Sequence, residues 1–164
     1  MVQEGSRSRT GGCSHNLGVL YTEGSGVAKS DATATRWTKA AAEQGLAMAQ
    51  CGLGNIYNEG REVTQSYAEA ARWYRKAADQ GHVEAQYELG FLFKEGYGVA
   101  QSNLHAAKWF KKAANQGDSK AQGCLGLMYD EGRGVEQSDV EAVKWFRKAA
   151  DQGSRYNDCA IVHG

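Results

Sequence analysis

Ala71-Arg72-Trp73-Tyr74-Arg75-Lys76-Ala77-Ala78-Asp79-Gln80-Gly81 returns in variant form at residues 35–45, 107–117 and 143–153, with no insertion between copies. Trp37, Trp73, Trp109 and Trp145, all the tryptophans of the chain, are spaced 36 residues apart. A fixed period of roughly 20–50 residues marks supersecondary units stacked side by side, so function is to be sought on a surface rather than in one pocket.

The four copies align with one another and separate scaffold from surface. In the first half of the third copy, Ala85, Leu89, Leu92 and Phe93 follow the i, i+4, i+7, i+8 spacing of one helical face. Gly18, Gly54, Gly90 and Gly126 lie inside that first helix, each at a cost of about 1 kcal/mol against alanine, which predicts close approach of a neighbouring helix. The helix ends at Glu-Gly, where glycine supplies a left-handed cap. The loop that follows reads Gly-x-Gly-Val in three copies; the second copy, Gly60-Arg61-Glu62-Val63, puts Glu62 at the permissive site and predicts a strained or reshaped loop.

Ser30, Ser66, Ser102 and Ser138 precede the second helix, and Ser66-x-x-Glu69 and Ser138-x-x-Glu141 have capping-box form. Along that helix one tryptophan is flanked by small residues in every copy, which reads as core, and the basic residues around it read as a solvated face. The register runs from about Thr10 to Ser154. Residues 1–9 lie outside it and are expected to be a disordered tail or expression remnant, while residues 155–164 make a degenerate fifth unit, either a C-terminal cap or a truncation. The expected fold is all-α: four 36-residue helix-turn-helix repeats plus a partial fifth.

Nineteen basic residues balance nineteen acidic ones, and neither nucleic acid nor an anionic membrane is expected as a partner. The mean hydropathy is −0.60, and no apolar run approaches the ~18 residues of a membrane span. Met1–Gly12 has no apolar leader core, which reads as cytoplasmic, or as periplasmic or secreted if a leader was removed. Cys13, Cys51, Cys124 and Cys159 all fall in first halves of units, with only Cys51 and Cys159 in register, so free thiols in a reducing compartment are expected.

The pattern Leu-Gly-x-x-Tyr/Phe-x-x-Gly-x-Gly-Val, then Ala-x-x-Trp-Tyr/Phe-x-Lys-Ala-Ala-x-Gln-Gly, resembles the Sel-one-like repeat family, relatives of tetratricopeptide repeats. The fourth copy carries it in Leu125, Gly126, Tyr129, Gly132, Gly134, Val135, Ala142, Trp145, Phe146, Lys148, Ala149, Ala150, Gln152 and Gly153. Thr38 and Ala40 in the first copy and Glu62 in the second depart from it. The resemblance implies an α-solenoid whose first helices line a concave surface, and an adaptor or scaffold that binds other proteins. It also implies a rival class, an enzyme or ligand-binding protein acting on cell-wall or β-lactam-like compounds, because a cysteine-rich branch that pairs cysteines between the two helices of a unit is associated with penicillin binding; the cysteines here lack that arrangement. A fragment of a longer structural array is the third class.

No Ser-x-x-Lys, Gly-x-Ser-x-Gly, phosphate-binding loop or His-Glu-x-x-His occurs, and the expectation is no enzyme, no cofactor and no metal. Cys13-Ser14-His15 is too little for a metal centre, and the recurrent Glu23, Glu59, Glu95 and Glu131, like Gln44, Gln80, Gln116 and Gln152, read as scaffold hydrogen bonders. Candidate partner-binding residues are those that differ between copies on the first helix: His15, Cys51, Asn55, Asn58, Tyr87, Glu88, Phe91, Lys94, Leu127 and Asp130. An aromatic centre with charges at its rim suits a protein or peptide segment anchored by apolar side chains. The protein is expected to be monomeric, with end-to-end association through its terminal repeats as the alternative.

Overall fold

The structure is a computed structural model that describes residues 4–153, with side chains from Ser14 onward. Among the described residues there are eight helices and no strand: α1 (Glu4–Glu23), α2 (Asp31–Glu43), α3 (Ala47–Glu59), α4 (Tyr67–Asp79), α5 (Val83–Glu95), α6 (Asn103–Asn115), α7 (Ser119–Glu131) and α8 (Asp139–Asp151). Helix α1 begins ahead of the point, near Thr10, where the sequence register starts. The chain forms two compact units, Met1–His82 and Val83–Gly164. In the first, α1 pairs with α2 and α3 with α4, and α3 also packs on α2; in the second, α5 pairs with α6 and α7 with α8, and α7 packs on α6.

The caps form as the sequence predicts, with one change. Ser30, Ser66, Ser102 and Ser138 each accept a hydrogen bond from the backbone N–H three residues on. The reciprocal half of the capping box is not made. The Ser66 and Ser138 N–H groups donate instead to the Tyr57 and Tyr129 carbonyls of the preceding helix, at 3.0 and 2.9 Å. Glu69 and Glu141 turn to Arg72 and Lys144, 2.8 and 3.1 Å away.

The helical glycines are explained by the residue after each tryptophan. A methyl group on Gly54, Gly90 or Gly126 would lie 2.5, 2.9 and 2.6 Å from the rings of Tyr74, Phe110 and Phe146 respectively. Tyr74 and Phe110 are fully buried. The tryptophans are more peripheral than the sequence suggests. Trp109 and Trp145 are buried, but Trp73 is half-buried and Trp37 exposed. Lysine ammonium groups lie over three of them, with Lys76, Lys112 and Lys148 at 4.2, 3.9 and 4.5 Å from the rings of Trp73, Trp109 and Trp145. The indole forms the outer wall of each unit, and the following ring is the knob that fills it.

Within each compact unit, consecutive repeats are latched by paired glutamines. Gln80 donates to Gln50 Oε1 at 2.7 Å, and Gln50 Nε2 donates to the Ala42 carbonyl at 3.2 Å. In the second unit Gln152 donates to Gln122 at 2.9 Å, and Gln122 to the Ala114 carbonyl at 3.1 Å. Gln50 and Gln122 are buried, so each bond satisfies an amide that would otherwise cost about 1–3 kcal/mol. Gln116 also donates to Gln86, at 2.8 Å, within the third repeat.

Glu62 has φ 55°, the one non-glycine residue with positive φ among those described. Left-handed backbone costs a residue with a Cβ roughly 1–2 kcal/mol. Glu62→Gly should therefore raise stability by about 1 kcal/mol after the glycine's larger unfolded-state entropy is subtracted. A melting temperature below that of the wild type would sink this account.

The cysteine expectation needs correction. Cys51 is a buried thiol that takes part in no disulfide, but Cys124 is disulfide-bonded. Register arguments compare only equivalent positions, and Cys124 shares its repeat position with no other cysteine.

Candidate functional site

In Val83–Gly164 the variable positions gather on α5 and α7. Tyr87, Phe91 and Lys94 are spaced i, i+4, i+7 along one face of α5, and all three are half-buried. The Tyr87 ring centroid is 5.7 Å from that of Phe110, with the planes tilted by 45°, so the ring rests on the knob beneath. From α7 the Lys120 ammonium lies 5.9 Å from the Tyr87 ring centroid. Phe91 meets Tyr97 edge-on at 6.3 Å. Lys94 is paired with Glu95 at 3.1 Å. Glu88 is half-buried beside Tyr87, Leu127 is half-buried on α7, and Asp130 is exposed. The backbone carbonyls of Lys94 and Asp130 accept from Gln101 and Gln137, so both positions also anchor the following loop.

Two of these contributors, Tyr97 and Lys120, were not picked out from the sequence. Tyr97 fills the x of Gly-x-Gly-Val, a position that also varies between copies. Lys120 lies outside the positions flanking the recurrent leucine, and only the packing of α7 brings it to Tyr87.

The Met1–His82 candidates divide differently. His15 on α1 is half-buried. Cys51 is a buried residue of α3, only 2% exposed, and offers no surface for a partner to touch. Asn55 accepts the Tyr74 hydroxyl at 2.6 Å and thereby orients the buried ring. Asn58 is half-buried, and its carbonyl accepts from Gln65 at 2.8 Å.

The recurrent glutamates act within their own loops. Glu131 pairs with Arg133 at 3.0 Å, and Glu59 with Arg61. The hydrogen bond from Arg61 holds the Glu59 carboxyl below its usual value, and Glu59 raises Arg61 in turn. A lowered carboxylate pKa adds stability above the unfolded pKa, which is lost as pH falls through the folded one. Both side chains are largely exposed, so this contribution is small. Among the described residues no three His, Cys, Asp or Glu side chains are gathered as a metal ion requires, and no helix is long and apolar enough to cross a membrane.

A family model described as the Sel1 repeat matches residues 13–46, 47–82, 83–118 and 119–154. Among solved structures, the chain is similar to a protective antigen present in uropathogenic Escherichia coli strains that displays an SLR fold. Identity is 40% over 88% of this chain and 31% of that one, with a TM-score of 0.84. It is also similar to a Sel1 repeat protein from Oxalobacter formigenes, at 36% identity over 94% of this chain and 63% of that one, with a TM-score of 0.84. The chain thus spans under a third of the first relative and under two thirds of the second. The cysteine rich protein B of Helicobacter pylori, at 24% identity, 78% and 96% coverage and a TM-score of 0.57, shares the helical-repeat fold. No curated protein matches the chain.

Proposed function

Because this chain belongs to the Sel1 repeat family, we propose that it is a non-catalytic scaffold that binds a protein or peptide segment on the face presented by its first helices. The observation that carries this reading is the partly exposed aromatic group of Tyr87, Phe91 and Tyr97 with Lys120 beside it. These residues vary between copies, whereas the glycines, knobs and glutamines that hold the repeats together recur. Rings fixed by packing offer contact area at little entropic cost, and the charged rim of Glu88, Lys94 and Asp130 sets register.

Tyr87→Ala combined with Lys94→Glu should weaken an identified partner by at least about 30-fold, the loss of a single hot spot. Circular dichroism and melting should confirm that the double variant folds. If that folded protein binds its partner with unchanged affinity, the face is wrong.

The disulfide at Cys124 favours an oxidising compartment over the reducing one read from the sequence. Thiol titration of protein denatured without reductant should then count no more than two free thiols, and a count of four would overturn this placement.

A further inference from the structure

Departures from the repeat pattern in Met1–His82 converge on one place. Thr38 stands where later copies have Tyr74, Phe110 and Phe146, and Thr35 where they have Ala71, Ala107 and Val143. Without a ring at position 38, a half-open cavity of about 90 Å³ remains, lined by Thr22, Thr35, Thr38, Asp31 and Arg61 together with the apolar Ile56 and Ala34. That is several times the ~10–15 Å³ that one water needs.

The polar residues of the lining are three threonines, the Asp31 carboxylate and the Arg61 guanidinium. Thr22 Oγ1 donates its own proton to the Gly18 carbonyl at 2.9 Å, which leaves its lone pairs to accept. Arg61 is already neutralised by Glu59. Asp31 lies close enough to raise the Arg61 pKa further. Asp31 and Arg61 are the charged residues of the lining, and with Glu59, which pairs with Arg61 from outside it, the three charges sum to −1. An ammonium group supplies three donors and no acceptor, which complements a carboxylate and threonine hydroxyls, while Ile56 and Ala34 suit a short alkyl stem.

We propose that this cavity binds a primary ammonium group on a short alkyl stem, either the lysine side chain of a bound polypeptide or a free alkylamine. The site stands apart from the α5 and α7 face and does not rest on it. So small a ligand should bind with a dissociation constant on the order of 1 mM.

The test is a nuclear magnetic resonance titration of the full chain with n-butylammonium and, separately, with Nα-acetyl-lysine amide, using sodium chloride as the ionic-strength control. Saturable shifts at Thr22, Thr35 and Thr38 are expected. Tighter binding of the lysine amide assigns the site to a polypeptide, and tighter binding of butylammonium to a free amine. Thr38→Phe, which lays a ring over Gly18 as Tyr74 lies over Gly54, should fill the cavity and weaken binding at least tenfold. Asp31→Asn should weaken it tenfold while leaving the cavity open. Absence of saturable shifts with both probes, or unchanged binding by either variant, would overturn the proposal.

Discussion

Phe110→Ala should lower the stability of the protein by about 3–5 kcal/mol, the range for emptying a buried aromatic site. The ring is fully buried where α6 meets α5, with the Tyr87 ring tilted against it at 5.7 Å between centroids and no room for a methyl group on Gly90. Domains are stable by only about 5–15 kcal/mol, so the loss is a large share of the total. The rigid support under Tyr87 goes with it, and binding to the α5 face should fall even where the variant still folds. A sharper form of the prediction is a reversal of sign. Gly90→Ala in the wild type forces a methyl group against the ring and should cost about 1–3 kcal/mol. In the Phe110→Ala background the same change meets no ring and should instead gain up to ~1 kcal/mol of helix propensity. Urea denaturation of the four proteins measures this cycle, and a Gly90→Ala effect of the same sign in both backgrounds would refute the ring-on-glycine contact.

The division of labour between Trp109 and Phe110 shows where reading the sequence stops. Adjacent helix positions point about 100° apart, yet both fall within an apolar stripe wide enough to hold them, so periodicity alone does not say which ring goes deeper. The tryptophan, larger and invariant between copies, draws the eye as core. The glycine at position 90 holds the answer, because only the facing residue explains why a helix should carry a glycine at all. The serine caps, the Glu-Gly helix ends and the positive φ at Glu62 were legible because they are local backbone chemistry. The glutamine latches were half legible: Gln80 and Gln152 recur visibly, but their partners Gln50 and Gln122 lie 30 residues away on another helix. The candidate face was legible as a set of variable positions on one side of a helix. Cys51 was lost from it because burial depends on neighbouring helices, and Lys120 was missed for the same reason.

Gly134→Ala should be the most damaging of the loop substitutions, at about 2–5 kcal/mol. The residue has φ 71°, which alone disfavours any side chain. A methyl group there would also overlap the Asn103 carbonyl and come 2.7 Å from the Leu104 nitrogen at the start of α6. Both obstacles are backbone atoms, which cannot swing aside as a flexible side chain does. Gly26 occupies the same place in the first copy with φ 75° and open space around it, so Gly26→Ala should pay only the conformational penalty of roughly 1–2 kcal/mol. The two substitutions thus separate what the Gly-x-Gly-Val motif needs for its own geometry from what it needs to sit against a neighbouring repeat. Melting temperatures of the two variants provide the comparison, at about 2–4 °C for each kcal/mol in a chain of this size. Equal losses would mean that the Asn103 contact exerts no constraint. A larger loss at Gly134 would mean that this loop is wedged onto α6 and fixes how the fourth repeat meets the third. That placement fixes α7 on α6, and α7 carries the Lys120 ammonium that lies 5.9 Å from the Tyr87 ring centroid; a Gly134 variant that still folds should therefore weaken partner binding as well as stability.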